Sequence, residues 1–351
     1  MSLTRRGRVS VTIGLVLALA CVVGVALVMA GSHDPITAAF RRLTGQSPSS
    51  PSKPCPLTGL VPQGDRGVPR RPLLAIKVEN TSAAYPLAGL DKADIVYEEL
   101  VEGGITRFMA IYQCQDSARV GPVRSARTTD PRVLRPYEKH PLIAYSGGQS
   151  AVVNLLNAVG LVGLTETSAP VAFHRDPARA APHNLFVNTL SAYKAGKKAT
   201  HSEGAPSSVF AYSSAVPRGK RIRSATIQFS YSATAAWSWS AGHWVRMLDS
   251  APMKLESGTP ISADNVVIQQ VVVSQGSLVD VLGNHSPEVT LVGTGKAWLL
   301  RDGEMIPGTW VRNSITGRTA FKTAKGVRLQ LKPGTTWVEL MPKGERISFA
   351  K

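Results

Sequence analysis

The sequence predicts an α+β protein: a mixed N-terminal domain, then a β-rich C-terminal domain, both behind a single N-terminal transmembrane or signal-anchor helix. Three observations carry this expectation. An uncharged apolar run lies near the start of the chain. Short strand-like runs mix with helical spacing up to about residue 204. Beyond that point β-type runs separated by Gly/Pro turns take over, and all six tryptophans lie there. The expected bounds are 1–30 for the leading segment, 31–56 for a linker, 57–204 for the mixed domain and 205–351 for the β-rich one.

Arg5, Arg6 and Arg8 precede 22 residues without a charge, Val9 to Ala30. A helix of that length reaches ~33 Å, enough for a bilayer core of ~30 Å. The arginines hold that end in the cytoplasm, so the remainder is expected outside. Three fates fit the segment. It stays as an anchor, it is cleaved after Ala30, or Leu17-Ala18-Leu19-Ala20-Cys21 acts as a degraded lipobox that lipidates Cys21. The linker follows, with its run Ser47-Pro48-Ser49-Ser50-Pro51-Ser52-Lys53-Pro54. Such a composition neither forms a helix nor buries a core.

In the mixed half, strands are expected at Leu73–Val78, Asp94–Glu98 and Arg107–Tyr112. Ala151 to Val159 has helical spacing through Val152, Leu155, Leu156 and Val159, with Ser150 as the expected N-cap after Gly147-Gly148. In the β-rich half, strands are expected within Thr226–Ser232, Val266–Ser274, Val289–Val292, Ala297–Arg301 and Val327–Leu331. An oxidising exterior permits a disulfide between Cys55 and Cys114; two buried thiols are the alternative.

Composition excludes several classes. The chain has 351 residues, 43% hydrophobic, enough apolar material for a core, so wholesale disorder is excluded. Three cysteines are too few for a disulfide-stapled miniprotein or a zinc ribbon, and an iron–sulfur ferredoxin needs four thiolates. No phosphate-binding loop, dinucleotide fingerprint, zinc-protease helix or nucleophile elbow is present. Ser191-Ala192-Tyr193-Lys194 matches S-x-x-K without the partner motifs of penicillin-binding enzymes. No cofactor and no metal are expected. The net charge of +17 suits an anionic partner, and the export signal argues against nucleic acid.

Charge is distributed in blocks. Glu79 to Glu102 holds six acids against Lys92, whereas Arg107 to Lys139 holds seven bases against Asp116, Asp130 and Glu138. Adjacent segments of opposite sign pair across strands, or they leave an arginine-lined pocket for a carboxylate or phosphate. Gly121-Pro122-Val123-Arg124-Ser125-Ala126-Arg127 sets two arginines beside a hydroxyl. Phe173-His174-Arg175-Asp176-Pro177 and Ala181-Pro182-His183-Asn184-Leu185 bring Arg175, Asp176, His183 and Asn184 into one loop-like stretch. There His183 is a candidate base. Trp237-Ser238-Trp239 sets two indoles on one strand face, fit for a sugar ring or for a core.

Taken in order, these segments resemble the YerB-like bacterial envelope (lipo)protein family, a domain of unknown function with a C-terminal companion. The resemblance runs through Pro56-Leu57-Thr58-Gly59, Ala93–Glu98, Val101–Arg107, Gly121–Arg127, Arg175-Asp176 and Ala181–Leu185. It continues in Gly308-Thr309-Trp310 and Pro333–Trp337. It implies an extracytoplasmic, lipoprotein-like location and a two-domain layout, and no reaction. The shared motifs fall on Glu98, Glu102, Arg107, Arg124, Ser125, Arg127, Arg175, Asp176, His183 and Asn184, which makes these the candidate ligand-binding residues.

The expected function is therefore a membrane-tethered binding or scaffold protein of the cell envelope. Its partner is a cell-wall polymer or an envelope protein, recognised through Arg107, Arg124 and Arg127, with Glu98 and Glu102 holding the arginines. The alternative is a wall-directed hydrolase or transferase with Glu98 or Glu102 and His183 in acid–base roles. Convergence of His183, Asp176, Glu98 and Glu102 within hydrogen-bond reach separates the two classes.

Overall fold

The strand Leu74–Asn80 reads LAIKVEN and is buried on both faces down to Glu79. A strand apolar on both sides belongs in the middle of a covered sheet, and that is where it lies. The computed structural model describes residues 53–62, 67–197, 204–215 and 218–351. The apolar leading segment, with Cys21 and most of the linker, lies outside the described residues. No described helix is long and apolar enough to cross a membrane.

The strands used below are β1 (Leu74–Asn80), β2 (Ile95–Leu100), β3 (Thr106–Tyr112), β4 (Leu142–Ala144), β5 (Val162–Leu164), β6 (Phe173–Arg175) and β7 (Leu185–Val187). Further along are β8 (Lys220–Arg221), β9 (Ser224–Gln228), β10 (Thr234–Ser240), β11 (His243–Leu248), β12 (Ala251–Pro252), β13 (Ser262–Ala263) and β14 (Asn265–Val279). The last are β15 (His285–Thr290), β16 (Gly293–Arg301), β17 (Glu304–Arg312), β18 (Ala320–Lys322), β19 (Thr336–Pro342) and β20 (Ile347–Ala350). Three helices accompany them: α1 (Thr129–Leu134), α2 (Ser150–Ala158) and α3 (Thr189–Lys197).

The main sheet has 12 strands in the order β18-β17-β16-β14-β19-β2-β3-β1-β4-β5, with β15 on β14 and β8 on β17. β19, from near the end of the chain, runs parallel to both β14 and β2 and lies between them. Strands from both halves of the sequence thus share one sheet. A second sheet, β12-β11-β10-β9-β20 with β13 on β11, covers one face of it. The helices α1 and α2 lie over the other face, where Val133, Val152 and Leu156 meet Ala75 and Ile143. The protein is strand-rich with few helices, as the composition of its second half suggested.

Several expectations shift locally. Gln149, not Ser150, is the cap residue of α2, and it makes no side-chain capping bond. Val327–Leu331 makes only isolated bridges, through Arg328 and Leu331. Trp237 is fully buried between the sheets, 5.1 Å from Trp337, so it is core and not a platform for a sugar. Cys55 and Cys114 are joined, 59 positions apart. A loop of that length stabilises the fold by ~4 kcal/mol in the chain-entropy treatment.

A candidate anion site on one face of the central strands

Neighbouring residues of a strand point to opposite faces, and in β1, β2 and β3 both faces carry charge. On the face toward the second sheet, Glu98 accepts from Thr106 Oγ1 at 2.6 Å and lies 2.9 Å from Arg246 of β11. Arg246 also reaches Glu339 of β19 at 3.2 Å, and Trp237 Nε1 donates to Glu339 at 2.7 Å. All three charged residues are buried. Burial, then the charge of Glu98, pushes the Glu339 carboxyl well up.

The opposite face carries a larger cluster. Lys77 pairs with Glu99 and, at 2.7 Å, with Asp130 of α1. Burial pushes the Asp130 carboxyl up against the pull of Lys77. Two residues along β1, Glu79 accepts from Thr81 at 2.9 Å and lies 2.9 Å from His183 Nδ1 and 3.5 Å from Arg124 Nε. Arg127 pairs with Glu102 at 2.6 Å, and Ser286 donates to the same carboxyl. Burial works to raise Glu102, yet the Ser286 hydroxyl and Arg127 outweigh it and hold the group below its usual value.

Arg107 is the exception in this cluster. It is 5% exposed and makes no ion pair among the described residues. One nitrogen donates weakly to Ser125 O at 3.4 Å, and its Nε has no partner. Burial, then the charges of Arg127 and Arg124, lowers its guanidinium to about 10. Arg124 Nε likewise lacks a hydrogen-bond acceptor. Two guanidinium Nε atoms on this face thus lack a hydrogen-bond partner, as does Glu99 Oε2, and buried orphan donors are costly unless something accepts from them.

Local backbone explains the arrangement. The segment carrying Arg124 lies along β1: Glu79 N–H donates to Pro122 O and Arg124 N–H to Lys77 O. Ala126 N–H donates to Gly147 O, setting the start of α2 beside Ser125. A Cβ on Gly147 would lie 3.3 Å from Ser125 Oγ, and its φ of +79° also suits glycine. The positive end of α2 thus adds to the field here.

The expected site residues divide. Glu102, Arg107, Arg124, Ser125, Arg127 and His183 come together with Lys77, Glu79 and Asp130. Glu98 does not join them; it lies on the other face with Arg246. Arg175, Asp176 and Asn184 hold the β6–β7 hairpin: Arg175 donates to Asn184 Oδ1 at 2.8 Å and pairs with Glu166 at 2.9 Å. Asp176 pairs with Arg119, and the Ala178 N–H and Arg119 lower its carboxyl. Sequence reasoning passed over Lys77 and Glu79. The available signal was two charges at i and i+2 inside an otherwise apolar strand. No group of three metal-ligating side chains occurs among the described residues.

A cavity of about 540 Å³ lies elsewhere, lined by Arg132, Arg135, Lys139 and His140 between α1 and α2. Three of these side chains are already engaged: Arg132 with Glu288, Arg135 with Lys139 O and His140 with Gly160 O. Orphan donors favour the Arg107 cluster as the site.

The family model for the N-terminal domain of "Protein of unknown function (DUF3048)" matches residues 57–203, and that for its C-terminal domain matches residues 225–338. The chain is 27% identical over 320 residues to "Putative lipoprotein YerB" of Bacillus subtilis (strain 168), covering 84% of this chain and 88% of that protein. The crystal structure of YerB protein from Bacillus subtilis is similar with a TM-score of 0.70 at 25% identity, covering 84% of this chain and 99% of that one. The chain belongs to this YerB-like family with paired DUF3048 N- and C-terminal domains.

Proposed function

We propose that the chain is a membrane-tethered, extracytoplasmic envelope protein that binds an anionic ligand through Arg107, Arg124 and Arg127. The lipoprotein designation of its Bacillus subtilis relative supports the location. So does the sequence, with a charged start, an uncharged run of 22 residues and a Pro/Ser-rich linker. The observation that carries the binding role is Arg107, a buried guanidinium with an unpartnered Nε. An anion would satisfy that donor together with Arg124 Nε. Ligands that fit are carboxylate- or phosphate-bearing wall polymers or an acidic partner protein.

The hydrolase reading lacks a supporting contact. His183 bonds Glu79, Glu102 bonds Arg127, Asp176 bonds Arg119 and Glu98 bonds Arg246. These are four separate pairs, not one acid–base constellation. The binding role is tested by titrating the full chain with inorganic phosphate and with purified wall polymer, alongside Arg124→Ala combined with Arg127→Ala. Loss of two charge-assisted contacts predicts a fall in affinity of about 100-fold. Unchanged binding in the double variant contradicts the proposal.

A further inference from the structure

Two hairpin tips converge beside the arginine cluster, and both expose apolar side chains. The tip between β14 and β15 presents Val281 and Leu282 at 102% and 82% exposure, and the tip between β9 and β10 presents Tyr231 at 90%. Isolated exposed apolar residues are ordinary. Here they are gathered at one place and held there by built turns.

The anchor point is the turn Glu102–Gly104 between β2 and β3. Gly104 O accepts from Ser230 Oγ at 2.5 Å and Ser232 Oγ at 3.1 Å, which fixes the Tyr231 tip. From the other side, Ser286 donates to Glu102, and a Cβ on Gly103 would lie 3.9 Å from Asn284 Nδ2. The Val281 tip is also tied to the cap of α2, since Gln149 Nε2 donates to Val279 O at 3.0 Å. Within this tip, Asp280 accepts from the N–H groups of Leu282 and Asn284, each at 2.8 Å. Its carboxylate is thus spent on shaping the loop that holds Val281 and Leu282 outward.

The cluster begins immediately behind this edge. Glu102, which meets the β15 side through Ser286, also pairs with Arg127. An apolar and aromatic rim beside arginines with orphan donors has the pattern of a surface that meets a bilayer. Apolar tips enter the headgroup boundary, an aromatic sits at its level and arginines take the phosphates.

We propose that the ligand of the arginine site is the headgroup phosphate of an anionic phospholipid in a bilayer, with Val281, Leu282 and Tyr231 lying against the lipid. This rests on the anion-binding reading above and names the class of anion. The N-terminal tether expected from the sequence would hold the body close to such a surface, and the tips set which edge faces it.

The test reconstitutes the full chain into vesicles carrying brominated acyl chains. One set contains phosphatidylglycerol with phosphatidylcholine, the other phosphatidylcholine alone. Leu282→Trp reports from the tip, and Val327→Trp, on an exposed turn after β18, is the control for mere tethering. The expected result is at least twofold stronger quenching of added emission at 282 than at 327, in the phosphatidylglycerol set only. Equal quenching at both positions overturns the proposal, as does the same tip quenching in both lipid sets. A companion variant, Val281→Ser with Leu282→Ser, is expected to keep the inorganic phosphate affinity of the parent while losing about tenfold in affinity for phosphatidylglycerol vesicles. If the parent binds phosphate but the tip is not selectively quenched, the lipid assignment falls and the anion site stands. If the parent does not bind phosphate, the anion site itself falls and the lipid assignment falls with it.

Discussion

Glu98 and Glu99 are adjacent in β2, yet they belong to two different kinds of charge cluster. Glu98 faces the second sheet and shares Arg246 with Glu339 in a dry triad. Glu99 faces the other way and shares Lys77 with Asp130. Each core unit has two carboxylates for one cation, and in each a carboxyl is pushed up by burial. A raised carboxyl takes up a proton more readily, which is one way buried acids avoid an uncompensated charge. The difference lies beyond these units. Behind Glu98 the charges end in the tryptophan-lined core. Beyond Glu99 they continue into Arg107, Arg124 and Arg127, where two guanidinium Nε donors lack a hydrogen-bond partner and the surface opens. A unit closed off in the dry core marks structure, and orphan guanidinium donors beside an opening mark a place for a ligand.

The largest effect expected is on the dry side. Arg246→Leu leaves Glu98 and Glu339 buried without a cation, and breaking such a unit costs about 3–5 kcal/mol. Denaturant unfolding reads it, and a loss below 1 kcal/mol would show that the triad is not the structural unit described. Next comes pH. Burial raises Asp94 to about 7 despite the Gln113 and Cys114 N–H groups that lower it. The folded chain then holds a proton that the unfolded chain releases near its ordinary carboxylate value. Stability is greatest below that unfolded value and falls as pH rises through about 7. Between pH 5 and pH 8, Asp94 contributes a fall on the order of 2 kcal/mol, and Asp94→Asn is expected to flatten the profile. A profile equally steep in the variant would assign the effect to other groups.

Effects on stability shrink on the open side. Arg124 is partly exposed and its removal leaves Glu79 with His183 and Thr81. Arg124→Ala is expected to change stability by less than about 1 kcal/mol while weakening anion binding about tenfold. His183→Gln is smaller still, within about 0.5 kcal/mol, because an amide can replace the single bond to Glu79. Thermal unfolding beside phosphate titration checks both; a large loss of stability in either would move that residue to the structural side.

Much of the strand framework was legible in the sequence. β1, β3 and α2 lie within one or two residues of their expected bounds, because alternation and helical spacing were strong there. The assembly was harder to read. Nothing local in Thr336–Pro342 announces that it lies between β14 and β2. The arginines were visible as a block, and Gly121–Arg127 pointed to them. Glu98 was grouped with the arginines by the charge blocks and the shared motifs, neither of which says which face a residue takes. Adjacent acids in a strand diverge by about 10 Å across the sheet, and only the pleat decides which one meets the arginines. Arg246 and Glu339, far away in sequence, gave no signal that they would claim Glu98.

The comparison of the two faces turns on Arg107. Its charge has no carboxylate in ion-pair reach among the described residues, and burial, then its neighbours Arg127 and Arg124, disfavours it. Replacing it orphans no acid, since Glu99 keeps Lys77 and Glu102 keeps Arg127. The most direct measurement is therefore Arg107→Met in the full chain, read by denaturant unfolding and by phosphate titration. The expected result is stability equal to or above the parent, together with loss of phosphate binding. A loss of 3 kcal/mol or more, as expected for Arg246→Leu, or phosphate affinity unchanged, would contradict the assignment of this face to a ligand.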